Sequence, residues 1–400
     1  MVNTKHVLFI VENESVPQDV RVWSEASTVK DFGHTVSVIC PQTKRSKLKY
    51  EVINGINIYR HPMPIEAKSK TNYFLEYLNA LFWEFIIAVK IYLSKPFHVI
   101  HSANPPDHVF IISLFFKIFG VKYIFDHHDI MPETYYAKFG KKGFMYSCLM
   151  LMEKLTFKTA KIVISTNESY KKIAMRRGKK KESDVFVVRN GPDLSKVMFK
   201  SPNPALKNGF DHLIAYLGVM NKQEGIENLL QSVEYIVKQR KITNIKFILI
   251  GTGPEWNDLV NLSKKMGLGH YIEFTGYIPY EQLYEILATA DVCVNPEPKN
   301  EFTDKSTMIK IMDYMVFGKP IVMYHTHEGE VTAREAAIYI KNNDIQKFSN
   351  ALVDLLADLP RRNKMGIIGK DRILNRLNWD KQKIVLQKAY QKIVGYKLNY

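Results

Sequence analysis

At 400 residues the chain is too long for one typical hydrophobic core, and its 46% hydrophobic content is enough for two. Three widely separated cysteines, Cys40, Cys148 and Cys293, exclude a disulfide framework and a cysteine zinc site and fit a reducing cytoplasm. The net charge of +16 is uneven, with 30 Lys+Arg against 18 Asp+Glu in residues 1–200 and 26 against 22 thereafter, so an anionic partner belongs to the first half if to either.

The apolar run Val7 to Val11 is too short for a signal peptide or a membrane span and reads as a first buried strand. A loop with Pro17 and Asp19 leads into a helix from about Arg21 to Phe32, and Gly33-His34 into a strand from Val36 to Cys40. Phe74 to Leu93 approaches spanning length, but Glu76, Glu84 and Lys90 interrupt it, which favours a helix buried on one side or lying at a membrane surface. Further strands are expected at Ile56 to Arg60, Val99 to Ser102, Tyr123 to Asp126 and Ile162 to Ser165. Such alternation implies an α/β fold with a parallel sheet covered on both faces, its ligand crevice beyond the carboxyl ends of the strands.

Polar groups collect at those ends: Glu12, Asn13 and Glu14; Asn104 to Asp107; Asp126-His127-His128-Asp129; and Thr166-Asn167-Glu168-Ser169. The His-His-Asp run invites a metal, but successive residues of an extended chain point to opposite faces, so three adjacent ligands do not easily converge. Hydrogen bonding of one His and one Asp to sugar hydroxyls is preferred, with a structural role as the alternative. The densest basic run is Lys171 to Lys181. Nucleic acid is one partner for it, but no zinc finger, RNA-recognition motif or recognition helix accompanies the charge. An anionic membrane surface suits the neighbouring aromatic helices Phe74 to Leu93 and Phe110 to Phe119 better, a solvated face being the plain alternative.

The turn Asn190-Gly191-Pro192 and the polar tract Lys200 to Asn208 end a first domain of residues 1–200. In residues 201–375 strands are expected at His212 to Gly218, Ile245 to Ile250, Ile272 to Phe274 and Val292 to Asn295. Helices are expected at Ile226 to Val237, Glu255 to Met266 and Glu281 to Thr289. Gly218, Gly251 and Gly253 stand at strand ends, where glycine lets backbone approach a ligand. Gly-Thr-Gly lacks the full dinucleotide fingerprint. Residues 376–400 contain a Lys-rich amphipathic helix from Trp379, expected to pack back across the domain junction.

The stretch Asn295 to Pro320 organises the second half. Pro296 and Pro298 keep its loop out of helix, Ser306-Thr307 offer hydroxyls where a helix should begin, and Ile309, Met312, Met315 and Val316 recur at helical spacing. A helix start with Lys305 and Lys310 nearby is an anion site, and Asp313 two turns on accepts hydrogen bonds from sugar hydroxyls. An ordinary capped helix with a solvated Lys-Asp pair is the bland reading of the same residues.

In order and spacing, several motifs together resemble the retaining family-four glycosyltransferases of GT-B fold over almost the whole length. They are Asp19-Val20-Arg21 with Glu25-Ala26 and Gly33-His34, Asp126 to Pro132, Arg189 to Asp193, Gly251 to Pro254, Phe274-Thr275-Gly276, Ala290-Asp291-Val292 and Lys310 to Pro320. Ser15 to Pro41 is further similar to transferases of surface-polysaccharide assembly. The resemblance implies two Rossmann-like domains facing across a cleft, the first taking a lipid-linked or glycan acceptor and the second a nucleoside diphosphate sugar, UDP foremost. The C-terminal helix is then expected to cross back to the first domain.

On this reading Gly218, Lys222, Gly251, Gly253, Lys305, Ser306, Thr307, Lys310 and Asp313 bind the donor, and His128, Asp129 and Asp313 are catalytic. Asp19, Arg21, Asn104, Asn167 and Glu168 line the acceptor side. Where members hold Glu, seven residues, Glu, this chain has Lys305 and Asp313, and where they hold an Arg and a Lys after the strand ending at Gly218, only Lys222 is basic. The reaction expected is same-face transfer in which the leaving phosphate helps to deprotonate the acceptor. No Asp-x-Asp triplet is present, and neither a cofactor nor an obligatory metal is expected. A nucleotide-sugar epimerase and a non-catalytic subunit of the same fold are the alternatives. Peripheral attachment to the inner face of an anionic membrane, with no nucleic acid, completes the expectation.

Overall fold

The computed structural model describes residues 4–62 and 70–395, leaving aside the side chains of residues 70–76. The chain divides into two compact units, Met1–Asn190 with Gln382–Tyr400, and Gly191–Lys381. The division falls inside the Asn190-Gly191-Pro192 turn, ahead of the boundary expected near Lys200. A Cβ on Gly191 would sit 2.1 Å from the Leu377 carbonyl oxygen, so glycine is what lets the turn pass so close to the chain that returns at the other end of this unit.

The first unit runs β1 (His6–Ile10), α1 (Val20–Asp31), β2 (Thr35–Pro41), β3 (Tyr50–Ile53), β4 (Ile56–His61), α2 (Lys70–Ser94), β5 (Val99–Ala103) and α3 (Phe110–Lys117). It continues with β6 (Lys122–His127), α4 (Met131–Phe139), α5 (Phe144–Thr159), β7 (Ile162–Ser165), α6 (Glu168–Arg177) and β8 (Val185–Val187). Its sheet has the order β3-β4-β2-β1-β5-β6-β7-β8 and is parallel except for the β3–β4 hairpin. β1, β5 and β7 are buried at every residue, as strands covered on both faces must be. The hairpin is an element that periodicity did not foresee. Its Asn54-Gly55 turn has φ of 49° and 75°, the pair of left-handed residues that an Asn-Gly hairpin turn requires.

The second unit runs β9 (His212–Leu217), α7 (Ile226–Glu234), β10 (Ile245–Ile250), α8 (Trp256–Lys265), β11 (Ile272–Gly276), α9 (Tyr280–Thr289) and β12 (Val292–Asn295). It then runs α10 (Ile309–Val316), β13 (Ile321–Tyr324), α11 (His327–Ala333), β14 (Ala337–Ile340), α12 (Ile345–Ala357) and α13 (Leu359–Arg372). The sheet order is β11-β10-β9-β12-β13-β14, all parallel. Each unit is therefore doubly wound: the chain enters at the centre and winds outward twice, leaving a switch point between β1 and β5 in one and between β9 and β12 in the other. Two apolar layers flank the second sheet. Tyr216, Leu229, Phe247 and Phe348 lie in one, and Ala215, Ile286, Tyr314 and Met315 in the other.

α14 (Trp379–Val394) carries the chain back. Its Tyr390 is buried in the first unit with its hydroxyl 2.7 Å from His101 Nδ1, and Lys122 donates to the Ile393 carbonyl at 2.7 Å. The helix expected from Trp379 onward is thus present; residues 396–400 lie outside the described residues, as do the side chains of Phe74 and Glu76.

Candidate active site

At the switch point of the second unit, Gly218 follows β9 and Asn295 ends β12. Tyr314 of α10 joins the two strands: its hydroxyl accepts from Leu217 N at 2.8 Å and donates to the Val294 carbonyl at 3.1 Å. The bond fixes α10 beside the crevice. Glu224, from the loop after β9, accepts from the Tyr216 hydroxyl at 2.7 Å and pairs with the buried Lys310 ammonium, which lies 5.0 Å from the Tyr216 ring centre. Glu297 is buried alongside. Burial pushes its carboxyl up to about 7, Lys310 opposing and Glu224 reinforcing the shift. Glu297 Oε2 and Asn295 Oδ1 have no hydrogen-bond partner among the described residues.

The glycines have a specific task here. A Cβ on Gly218 would stand 2.9 Å from Lys310 Nζ, one on Gly251 (φ 126°) 1.9 Å from the Gly218 carbonyl oxygen, and one on Gly253 2.4 Å from the Met220 oxygen. A Cβ on Gly225 (φ 71°) would lie 2.1 Å from the Pro296 oxygen. These residues pack the loops after β9, β10 and β12 against one another, so Gly251 and Gly253 admit neighbouring backbone rather than a ligand.

Three sequence expectations about α10 are corrected. The helix begins at Ile309, not at Ser306-Thr307, and its preceding residue Met308 makes no side-chain cap. The Ser306 hydroxyl instead donates to the Phe302 carbonyl at 2.9 Å, which places Ser306 in the loop and not on a helix face with Asp313. Lys310 is not an added free charge, because Glu224 neutralises it. Lys305 and Thr307 are half-buried in the same loop, and Lys222 is exposed after β9. Asp313 is half-buried, and no described residue makes a hydrogen bond or ion pair with it. Desolvation pushes its carboxyl up to about 7; burial raises the hydroxyls of Tyr280 and Tyr284, with the Asp313 charge a lesser contribution.

In the first unit, β1, β5, β6 and β7 are neighbours, so the rim of polar residues at their carboxyl ends exists, but it bonds mainly to itself. Arg21 of α1 is the hub. It donates to Asp126 at 2.8 and 3.2 Å, to the Val188 carbonyl at 2.9 Å and to Asn190 at 2.6 Å, and it pairs with Glu25 at 3.0 Å. Burial alone would raise Asp126, but Arg21 and His128 hold it well below the usual carboxylate range, whereas burial keeps Glu25 well above it. His128 places Nε2 against Asp126 and 2.6 Å from Arg21 Nε, and remains half-exposed. His127 points the other way, as the strand alternation requires: it is buried between Phe157 and Tyr170, and desolvation lowers it to about 3.

Several expected acceptor-side residues hold the fold. Asp19 caps α1 through Val22 N at 2.9 Å and Asn167 caps α6 through Tyr170 N at 2.8 Å. Asn104 clamps the loop after β6, accepting from His128 N and Asp129 N and donating to Asp107 and the Asp129 carbonyl. Asp129 spends Oδ1 on Ile130 N and the Thr134 hydroxyl. Glu168 is exposed in the first turn of α6.

Among the described residues, two other groups bring three metal-capable atoms within 4.8 Å of one another: Glu12, Glu84 and His108, and Glu25, Asp126 and His128. In the second of these the Arg21 guanidinium already supplies the positive charge. Sequence reasoning missed the site roles of Tyr216, Glu224, Glu297, Tyr314, Glu25 and His101; Glu224, Tyr314 and His101 have partners far along the chain, at Lys310, Leu217 and Tyr390. The one local signal was a glutamate, Glu297, enclosed by two prolines.

Residues 19–196 match the model of glycosyltransferase family 4, and residues 211–358 that of glycosyl transferases group 1. The chain belongs to the family-four glycosyltransferases. This glycosyltransferase is 25% identical over 303 residues to an uncharacterized glycosyltransferase of Methanocaldococcus jannaschii, covering 73% of this chain and 72% of the other. Its fold is that of GT-B enzymes. Sucrose-phosphate synthase from Thermosynechococcus elongatus superposes with a TM-score of 0.79 at 18% identity, over 98% of this chain and 99% of that one. Anabaena HepE in complex with UDP gives 0.70 at 12% identity, over 98% and 100%.

Proposed function

We propose that this glycosyltransferase moves a sugar, with retention, from a UDP-sugar to a lipid-linked or glycan acceptor of surface-polysaccharide assembly at the cytoplasmic face of the cell membrane. The observation that carries the reading is the β9–β12 switch point, where Gly218, Lys310 and Glu297 meet, with Asp313 further along α10. The crystallised complex of HepE with UDP supports the choice of nucleotide.

In the reaction, the bond from the anomeric carbon to the diphosphate oxygen breaks while the acceptor oxygen bonds on the same face, and the acceptor proton passes to the leaving phosphate. Catalysis then consists of holding the substrates together and stabilising negative charge on the diphosphate. Lys222, Lys305, Ser306 and Thr307 are assigned to that diphosphate. Lys310 joins them as Glu224 gives up its hold. Asp313 accepts from the ribose hydroxyls, and His128, held in one orientation by Asp126, meets the donor sugar or acceptor. The absence of an Asp-x-Asp triplet is the reason no divalent metal is assigned.

Calorimetric titration of UDP, GDP and dTDP tests the donor site, with UDP expected to bind tightest and binding of none overturning it. Radiolabelled nucleotide-sugars incubated with native membranes then identify sugar and acceptor. One observation favours a second reading, a subunit that keeps the fold without transferring: Glu224 neutralises Lys310, and no arginine follows β9. Donor binding with no transfer to any membrane acceptor is the result expected of it.

A further inference from the structure

The four helices α2 to α5 have an unusual distribution of charge. From Tyr77 to Thr159 the chain has six acidic residues. Glu84, Asp107, Asp126, Glu133 and Glu153 are buried and Asp129 is half-buried, so none is exposed. The cations behave oppositely: of nine lysines, Lys90, Lys95, Lys117, Lys138, Lys141, Lys142, Lys154 and Lys158 are exposed, and Lys122 is half-buried. No arginine occurs in the stretch.

The same surface carries large apolar side chains in the open. On α2 these include Phe82 and Leu93, at the end of α3 Ile118 and Phe119, and at the start of α5 Phe144, with Ile118 at 75% and Phe144 at 85% exposure. α2 and α3 touch through Phe85 and Phe115 at 5.0 Å, so their exposed residues form one continuous ridge. α2 is long and apolar enough to cross a membrane by length and composition, yet it packs on the sheet beside β2 and β4, and only 22% of Tyr77–Ser94 is buried. A core helix would be covered, and a solvated one would carry acids. From Tyr77 onward this one does neither.

We infer that the ridge of α2 and α3, rimmed by Lys90, Lys95 and Lys117, is the face by which the protein docks on an anionic lipid surface. The apolar side chains enter the boundary between headgroups and acyl chains while the lysines meet lipid phosphates. Charge complementarity selects this partner, since a protein surface would pair the lysines with acids, and nucleic-acid sites favour the arginine forks lacking here. The Lys171 to Lys181 run is a poorer anchor. Lys171 pairs with Glu182, Arg177 bridges Glu133 and Glu153, and Lys180 donates to the Ala160 carbonyl. The inference deepens the proposed membrane acceptor, but it concerns a surface remote in sequence from the donor residues.

Flotation of the full chain with phosphatidylcholine vesicles, with and without phosphatidylglycerol, tests it, together with the variant Ile118→Glu/Phe119→Glu. The parent is expected to float with the anionic vesicles and the variant to lose at least about tenfold of that binding, while Lys172→Glu/Arg176→Glu on α6 floats like the parent. Both variants should keep the parent's melting temperature and its affinity for UDP, which separates failure of the docking face from failure of the donor site. Parent protein that floats with neither vesicle overturns the inference, as does unchanged flotation of the α3 variant. Dimers dissolved by the α3 substitutions would assign the ridge to a second copy and overturn it equally.

Discussion

Arg21 in the first unit and Lys310 in the second are both cations with largely covered side chains, held by carboxylates near the carboxyl ends of a parallel sheet. Their surroundings differ in one respect. All three nitrogens of the Arg21 guanidinium have acceptors, supplied by Asp126, Glu25, Asn190 and the Val188 carbonyl. Lys310 has three donors, and its carboxylate partner among the described residues is Glu224, while Glu297 and Asn295 beside it keep buried atoms without partners. A rigid five-donor fork suits a permanent lock, and a compact ammonium on a flexible stem suits a contact that is exchanged. Glu25 and His101 near Arg21 also keep buried atoms without hydrogen-bond partners among the described residues, so the difference lies in the cations: Arg21 has all its nitrogens engaged, and Lys310 keeps donor capacity for a ligand.

Breaking the lock should have the largest effect. Arg21→Ala leaves Asp126 buried without its charge partner and is expected to cost about 3–5 kcal/mol in chemical denaturation. Unchanged stability would remove the lock. Gly251→Ala forces a Cβ to within 1.9 Å of the Gly218 oxygen at a φ of 126°, and a loss of about 2–4 kcal/mol with weakened UDP binding is expected by thermal melting and calorimetry.

Lys310→Met keeps the length and apolar stem but removes the ammonium. UDP affinity should fall about 10–100-fold by calorimetry with a smaller change in stability, and parent-like affinity would put the diphosphate elsewhere.

Asp313→Asn sharpens the comparison further, because it has both a ligand and a pH signature. UDP affinity should fall about tenfold. Its folded carboxyl, at about 7, lies above the unfolded value of 3.8, so ionisation opposes folding. The penalty is absent below the unfolded value, grows as pH rises between the two, and is complete above the folded one. Full transfer of that shift is roughly 4 kcal/mol, which partial exposure reduces to about 1–2 kcal/mol. The variant should therefore be more stable than the parent at pH 8 and equal to it near pH 4, in paired denaturation curves.

Much of this architecture was legible from neighbours in sequence. Alternating apolar runs marked the strands β1, β2, β4, β5, β6 and β7 and the strands β9 to β12, and the loop residues after β6 and β9 marked the rim where His128 and Gly218 stand. The Asn54-Gly55 turn was equally local, but the strand before it, β3, was passed over, since it is short and half-exposed. The start of α10 was misread for a different reason. Ser306 is a good cap by composition, but its hydroxyl is claimed by the Phe302 carbonyl one turn earlier, and the helix waits until Ile309.

Sequence by itself determined the class, alternating α/β in two halves, because hydrophobic period and turn chemistry act between residues a few positions apart, while the family came from the resemblance of motifs such as Asp19 to Arg21 and Lys310 to Pro320 taken together. Only the tertiary structure decided which polar side chains are spent and which are spare. Arg21 meets Asp126 across 105 positions and Lys310 meets Glu224 across 86, and no local pattern reports a bond of that reach. Pairing at the end of a parallel sheet is set by strand order and register, and there a buried donor takes the acceptor that geometry brings to it.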